Sequence, residues 1–309
     1  MYIGIDVGGM SIKAGLVDHG GKLLCKHSVP TPKSGNDEFC AALRSAAAGV
    51  IEKADFKGEI DAIGMGAPGI VNREDCRLVY SCNIAYDNAP VGEYLKKIYN
   101  APVLVENDAN CAAVGEFYAA PDVRNFVFIT LGTGVGGGVI INGKLFVGSN
   151  GAGAELGHIV THAGGVKCNC GRLGCWEAYA STSALIRMTE ENRGKIASIG
   201  KNEVINGKTV FDKAESGDKA AAAVRDAWIK EVAIGLTDVV NIFQPDEIVV
   251  GGAVAQQGEV VMAPVREFVL KNEYTAPNPD IKKTKILTSR LGNDAGIIGA
   301  ALLWKNKNE

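Results

Sequence analysis

Between Gly151 and Glu177 the chain reads GAGAELGHIVTHAGGVKCNCGRLGCWE, a stretch that concentrates residues able to bind soft metal ions. Three of the eight cysteines, Cys168, Cys170 and Cys175, fall within eight positions, and His158 lies ten before the first. Glycines at 164, 165, 171 and 174 let the backbone turn tightly enough for the thiols to converge. Three thiolates and one imidazole form the donor set of a closed, tetrahedral structural zinc site. A reactive dithiol is the main rival, but such pairs usually run Cys-x-x-Cys beside a helix start, and the inner spacing here is Cys-x-Cys. Donor count and glycine spacing also speak against buried thiols packed as small apolar groups. By spacing alone, His162 competes with His158 for the fourth ligand position. Glu155 and Glu177 bracket the cluster. Hard carboxylate oxygens are poor companions for thiolates, so both are expected to point elsewhere.

Phosphate chemistry is suggested by three glycine turns that follow apolar strands: Asp6-Val7-Gly8-Gly9, Leu131-Gly132-Thr133-Gly134 and Val250-Gly251-Gly252. Such turns expose backbone N–H groups and let a phosphate approach with no Cβ in the way. One turn of this kind commonly serves only a hairpin; three together point to one polyphosphate clamped between domains. No G-x-x-x-x-G-K-[ST] occurs, which excludes a P-loop, and neither early turn opens a helix, which weakens a dinucleotide reading. Asp6 ends its strand where it could hold Mg²⁺ through water. Lys13 could reach a phosphate, although an exposed strand lysine fits equally well. Glu106-Asn107-Asp108 ends a strand and opens a helix. Asp108 suits a helix N-cap, yet strand ends facing a cleft are where open α/β sheets place ligand chemistry. Phosphoryl transfer to an alcohol needs a carboxylate to take the hydroxyl proton, and Asp108 is the choice for that base.

The elements that must position these residues follow from hydrophobic periodicity. Residues 2–5, 12–17 and 22–29 read as strands joined by glycine turns, and 38–53 as a helix with Phe39, Leu43, Ala46, Ala47 and Val50 at helical spacing. Strands are expected at 60–66 and 103–106, and helices at 91–99 and 108–118. From Phe126 the opening pattern returns: Asp6 falls over Thr130, Gly8 over Gly132 and Asp18 over Asn142, each 124 positions later. An internal duplication explains this, each copy beginning a domain. Beyond the cysteines, helices are expected at 177–189, 219–243, 260–271 and 295–305, with strands at 247–250 and 285–288. The domains are expected to comprise residues 1–120 with a returning helix at 293–309, and residues 121–292.

At 309 residues the chain can bury a large core, and its length suggests two domains. A formal charge of −3 gives no general pull toward nucleic acid or anionic membrane, and no apolar run reaches the length of a membrane span. The start, MYIGIDVGG, lacks the features of a signal peptide. Cys25, Cys40, Cys76, Cys82 and Cys111 show no pairing pattern, as expected of reduced thiols. The expectation is a cytoplasmic protein with neither membrane nor nucleic-acid partner.

Taken in order, Asp6-Val7-Gly8-Gly9, Glu106-Asn107-Asp108, Glu155-x-Gly157-His158, Cys168-x-Cys170-Gly171-x-x-Gly174-Cys175-x-Glu177 and Gly251-Gly252 resemble the motifs of the ROK family (repressors, sugar kinases, uncharacterised reading frames). The resemblance spans essentially the whole chain, and the glutamate–histidine–triple-cysteine motif is highly specific. It implies an α/β protein with the actin-like, ribonuclease-H-like ATPase fold, in which two duplicated βββαβα domains flank a cleft for ATP and a hexose. It implies structural Zn²⁺ on His158, Cys168, Cys170 and Cys175, with His162 outside the motif. Sugar contacts are implied for Asn107, Asp108, Glu155, His158 and Glu177, with Asn83 joining them. Contacts to Mg²⁺ and ATP are expected from Asp6, Gly8, Gly9, Ser11, Lys13, Thr133, Gly134 and Gly252. Met10 departs from the threonine usual in the family's phosphate loop, and Ser11 is expected to substitute. Family repressors carry a helix-turn-helix before the kinase-like part, and a first strand at residue 2 favours the kinase branch. Within that branch, CNCGRLGCWEAYAS and residues 291–296 resemble glucokinases most. The expected reaction is therefore phosphorylation of a hexose at its 6-hydroxyl, glucose first. N-acetylglucosamine, N-acetylmannosamine or another hexose is the alternative substrate, and a non-catalytic sugar-responsive regulator the alternative class. The resemblance also suggests a homodimer.

Overall fold

The structure is a computed structural model that describes residues 1–81, 84, 86–120 and 122–308. Its first part runs β1 (Tyr2–Val7), β2 (Ser11–Val17), β3 (Leu23–Pro30), α1 (Asn36–Lys53), β4 (Ala62–Ala67), β5 (Ile70–Asn72), β6 (Arg77–Tyr80), β7 (Asp87–Ala89), α2 (Val91–Tyr99), β8 (Val103–Asn107) and α3 (Asp108–Tyr118). The pattern then restarts with β9 (Phe126–Leu131), β10 (Val135–Ile141) and β11 (Lys144–Phe146). Next come α4 (Glu177–Ala180), α5 (Thr182–Glu191), α6 (Thr209–Glu215), α7 (Lys219–Phe243), β12 (Glu247–Gly251), α8 (Glu259–Asn272), β13 (Lys285–Thr288) and α9 (Ala295–Asn308).

Two five-stranded mixed sheets share one strand order, β3-β2-β1-β4-β8 and β11-β10-β9-β12-β13. At the offset of 124 read from the sequence, β9 matches β1 at both ends and β10 matches β2 at both ends. The copies then diverge: β3 has eight residues and β11 only three. A third sheet, β5-β6-β7, is not foreshadowed by the sequence, because strands of three and four residues are too short to show alternation.

The chain forms two compact units. The first comprises Met1–Phe128, Gly138–Ala154 and Arg290–Glu309; the second comprises Ile129–Gly137 and Glu155–Ser289. In the first unit, Ile3, Ile5 and Val7 of β1 pack with Phe39, Leu43, Ala47 and Val50, which fall on one stripe of α1. The opposite side of β1 and β4 is covered by α9, which also lies along α3. In the second unit, the long helix α7 is capped by the Asp218 carboxylate, which accepts from the N–H groups of Ala220 and Ala221. It buries Trp228, and its Glu231 carbonyl accepts from the indole N–H of Trp176. The single helix expected over 177–189 is instead two. Ser181 adopts an extended backbone (ψ 164°) and its hydroxyl oxygen accepts from the Ala184 N–H, so it ends α4 and caps α5.

Candidate active site and metal loop

In the first unit, the parallel register of β1, β4 and β8 sets Asp6, Gly66 and Glu106 in one row. Asp6 and the Glu106–Asp108 corner therefore leave the sheet at the same end, two strand spacings or about 10 Å apart. Lys13, paired with Asp6 across β2, brings its Nζ to 3.4 Å from the carboxylate. Burial pushes the Asp6 pKa up, and Lys13 only partly offsets it. In the first glycine turn the Gly8 N–H donates to the Ser11 carbonyl at 3.0 Å, and the Thr31 hydroxyl donates to the Gly8 carbonyl at 2.5 Å. In the second, the Gly132 N–H donates to the Gly134 carbonyl at 3.0 Å. These two N–H groups close their own turns, which corrects the expectation that the turns leave them exposed. Gly9 has open space around its Cα, Met10 stands 91% exposed and Ser11 is half-buried at the start of β2.

The corner itself corrects the capping alternative. Asn107, not Asp108, caps α3: its Oδ1 accepts from the N–H groups of Ala109 (2.9 Å) and Asn110 (3.3 Å). Asp108 is the first helical residue, half-buried, with Oδ1 accepting from the Ala109 N–H at 2.9 Å. Beneath them lies the buried Glu106 carboxylate. It accepts from the Asn107 N–H at 2.7 Å, from Asn110 Nδ2 at 3.0 Å and from Arg73 in a two-pronged ion pair, Nε at 2.6 Å and Nη2. Arg73 Nη1 also donates to the Gly151 carbonyl at 3.1 Å. Gly151 has φ 82°, and a Cβ there would come 1.9 Å from Nη1, so only glycine leaves room for the guanidinium. Arg73 was invisible to sequence reasoning: it lies between two short strands with no motif around it. The thiol of Cys111, fully buried, is pushed well above its ordinary pKa by burial and then by the charges of Glu106, Asp108 and Asp6. It is a neutral packing group.

In the second unit, α5 grips the Leu131–Gly134 turn. The Thr182 N–H donates to the Gly132 carbonyl and the Ser183 hydroxyl to the Thr133 carbonyl, each at 2.8 Å. Glu177, which opens α4, accepts from the Val135 N–H at 3.0 Å through Oε2, while its Oε1 lies 3.4 Å from Cys168 Sγ. A Cβ at Gly134 would meet Oε2 at 2.3 Å. Gly134 is thus glycine so that Glu177 can tie the turn to the cysteine loop. A cavity of about 170 Å³ opens beside this tie, lined by Thr133, Lys167, Asn169, Glu177, Ser183 and Arg187. Gly252 follows β12 with φ 87° and abuts the Leu131 carbonyl.

His158 Nδ1 and the Sγ atoms of Cys168, Cys170 and Cys175 all lie within 4.8 Å of one another. Cys170 and Cys175 are 3.7 Å apart at sulfur, as are Cys168 Sγ and His158 Nδ1. Donors at bond lengths of about 2.1–2.3 Å around a tetrahedral centre are separated by about 3.6–3.8 Å, so the two 3.7 Å separations already match such a centre and the widest, up to 4.8 Å, would close by about 1 Å on binding. Burial pushes the Cys168 thiol up to about 12 and raises Cys175, whereas the Arg172 N–H draws Cys170 down. Two thiols that resist ionisation alone are ones a bound cation would convert to thiolates. His162 takes no part: its ring stacks on Tyr179 at 4.0 Å, and its Nε2 lies 3.6 Å from Glu231 of α7. Glu155 is exposed, and its carbonyl accepts from the His158 N–H at 3.0 Å. Asn83 lies outside the described residues.

Residues 2–307 match the ROK family. The glucokinase of Streptomyces coelicolor is 37% identical over 97% of this chain and 96% of its own length. The crystal structure of a ROK family glucokinase from Streptomyces griseus in complex with glucose and AMPPNP superposes with a TM-score of 0.78 at 35% identity, covering 98% of both chains. The N-acetylmannosamine kinase of Yersinia pseudotuberculosis is 29% identical over 97% of each. The chain belongs to the ROK family and has its actin-like, ribonuclease-H-like ATPase fold.

Proposed function

We propose that this chain is an ATP-dependent sugar kinase that transfers the γ-phosphoryl group of Mg·ATP to the 6-hydroxyl of glucose. The observation that carries this is the shared sheet end of Asp6 and Asp108, in a chain related along its whole length to glucokinases. Asp108 accepts the hydroxyl proton as the sugar oxygen attacks the γ-phosphorus, and the β–γ bridging oxygen leaves on ADP. Asn107 presents its amide N–H₂ to the sugar, its oxygen being held in the helix cap. Glu155, His158, Glu177 and Asn83 orient the remaining hydroxyls. Asp6 holds Mg²⁺ through water, and Gly8, Gly9, Ser11, Lys13, Thr133, Gly134 and Gly252 border the nucleotide. When bound, Mg²⁺ neutralises charge on the β- and γ-phosphoryl oxygens.

His158, Cys168, Cys170 and Cys175 hold a structural zinc ion in this reading, supported by the donor set and the 3.7 Å separations. It keeps the loop that carries His158 and Glu177 in one conformation. The enzyme acts in the cytoplasm as a homodimer, which sedimentation of the purified chain tests. Among the described residues no helix is long and apolar enough to cross a membrane.

An ADP-release assay over glucose, N-acetylglucosamine, N-acetylmannosamine and mannose tests the reading. Glucose is expected to give the highest kcat/KM. Asp108→Asn should lose about 10²–10⁴-fold in kcat while glucose affinity, followed by calorimetry, stays within a few fold. Preference for N-acetylmannosamine would move the substrate to the acetylated hexoses. Sugar binding with no ADP release from any of them would make the chain a regulator.

A further inference from the structure

We propose that a cavity beside Arg73 is a binding site for a small organic carboxylate with an apolar body. The cavity, about 290 Å³, lies within the first unit between the outer edge of β8, β11 and the last turns of α9. Its volume is at the lower limit for small-molecule sites, which suits a ligand well below drug size. Leu104, Val105, Leu145, Val147 and Leu303 make most of its wall apolar.

Its charged groups are Arg73, Lys144 and Lys307 against the single carboxylate of Glu106. That carboxylate already pairs with Arg73, and neither lysine has an ion-pair partner among the described residues. The surplus charge is positive and sits at the end of an apolar wall. Arg73 also has donors to spare: of its five N–H groups, two go to Glu106 and one to the Gly151 carbonyl. Two remain, enough for one carboxylate. Inorganic phosphate would satisfy the cations but leave the aliphatic wall against water, so the wall selects a ligand with a hydrocarbon tail.

A carboxylate bound here shares the guanidinium with Glu106, and Glu106 holds the corner that presents Asn107 and Asp108. Occupancy therefore alters the clamp beneath the corner and changes kinase turnover. This second step rests on the kinase reading; the binding site itself does not.

Calorimetry on the full chain with hexanoate, hexanamide and inorganic phosphate tests the site. Hexanoate is expected to bind about tenfold or more tightly than hexanamide, which has the same body and no charge. Leu303→Trp, which fills the cavity, should abolish binding. The double variant Lys144→Gln/Lys307→Gln should weaken it about tenfold and leave turnover without hexanoate unchanged. Saturating hexanoate should change wild-type turnover at least about twofold and leave that of Leu303→Trp unmoved, while the double variant should need about tenfold more hexanoate for the same change. Equal binding of hexanamide, undiminished hexanoate binding in both variants, or binding of phosphate alone would overturn the site. Hexanoate bound with turnover unaltered would overturn the link through Arg73. If no sugar is phosphorylated, the calorimetric arm still decides the site.

Discussion

Glu106 has no reaction chemistry assigned to it, yet the corner carrying Asp108 depends on how it is held. Its buried carboxylate satisfies the Asn107 N–H and the Asn110 amide, and Arg73 neutralises it from the other side. Arg73→Ala would leave that charge buried and unpaired, a loss of about 3–5 kcal/mol. Urea denaturation should show it, with kcat falling in parallel. Arg73→Lys should recover part of the stability but little of the turnover, since an ammonium cannot reproduce the two-pronged geometry. A second residue-scale prediction concerns Asp6. Burial raises its pKa above the ordinary 3.8, so the stability it contributes is fully present below 3.8 and lost as pH rises through the folded value. At neutral pH the wild type carries a partly buried charge that asparagine would remove. Asp6→Asn should therefore raise the Tm at pH 7 while turnover collapses. The gain should vanish as the pH falls below about 4. A difference in Tm that is flat with pH would reject this account.

At the scale of elements, the cysteine loop and the Leu131–Gly134 turn behave as one piece because Glu177 spans them. Cys170→Ser replaces a thiolate donor with a hydroxyl and should strip zinc from the purified chain, read by elemental analysis. The KM for glucose should rise before global unfolding is detected; full metal retention would refute the four-ligand assignment. How much of this was legible beforehand depends on whether a residue's partner is local. The proposed metal ligands lie within eighteen positions of one another, and β1 and β2 return in β9 and β10 because period-2 and glycine-turn signals are short-range. Asn107 and Asp108 were legible as a strand-to-helix corner, but which of them caps α3 turns on a side-chain rotamer. The break at Ser181 is not legible because good helix formers lie on both sides, Ala178 and Ala180 before it and Ala184, Leu185, Arg187 and Met188 after it, and only a serine cap interrupts them. Arg73 meets Glu106 and Gly151, 33 and 78 positions away, and no periodicity encodes such a meeting.

For the whole molecule, the first unit is discontinuous, and α9 returns to it after the entire second unit. That helix lies on β1, β4 and α3, and its Ile297, Ile298, Leu302 and Leu303 are buried. At about 1.5–3 kcal/mol for each large apolar side chain, its contribution rivals the net stability of a whole domain. A chain ending at Ser289 should lose hydrogen-exchange protection in β1 and β4, and native-like protection there would show α9 to be dispensable. The same discontinuity has a consequence during synthesis. Translation proceeds at roughly 5–20 residues per second. The stretch between Ala154 and Arg290 therefore keeps the Asp108-bearing half waiting roughly seven to thirty seconds for its last helix on the ribosome. Over that interval the nascent polypeptide displays the bare underside of a finished sheet, which makes it a natural client for chaperones that shelter unpaired apolar surface.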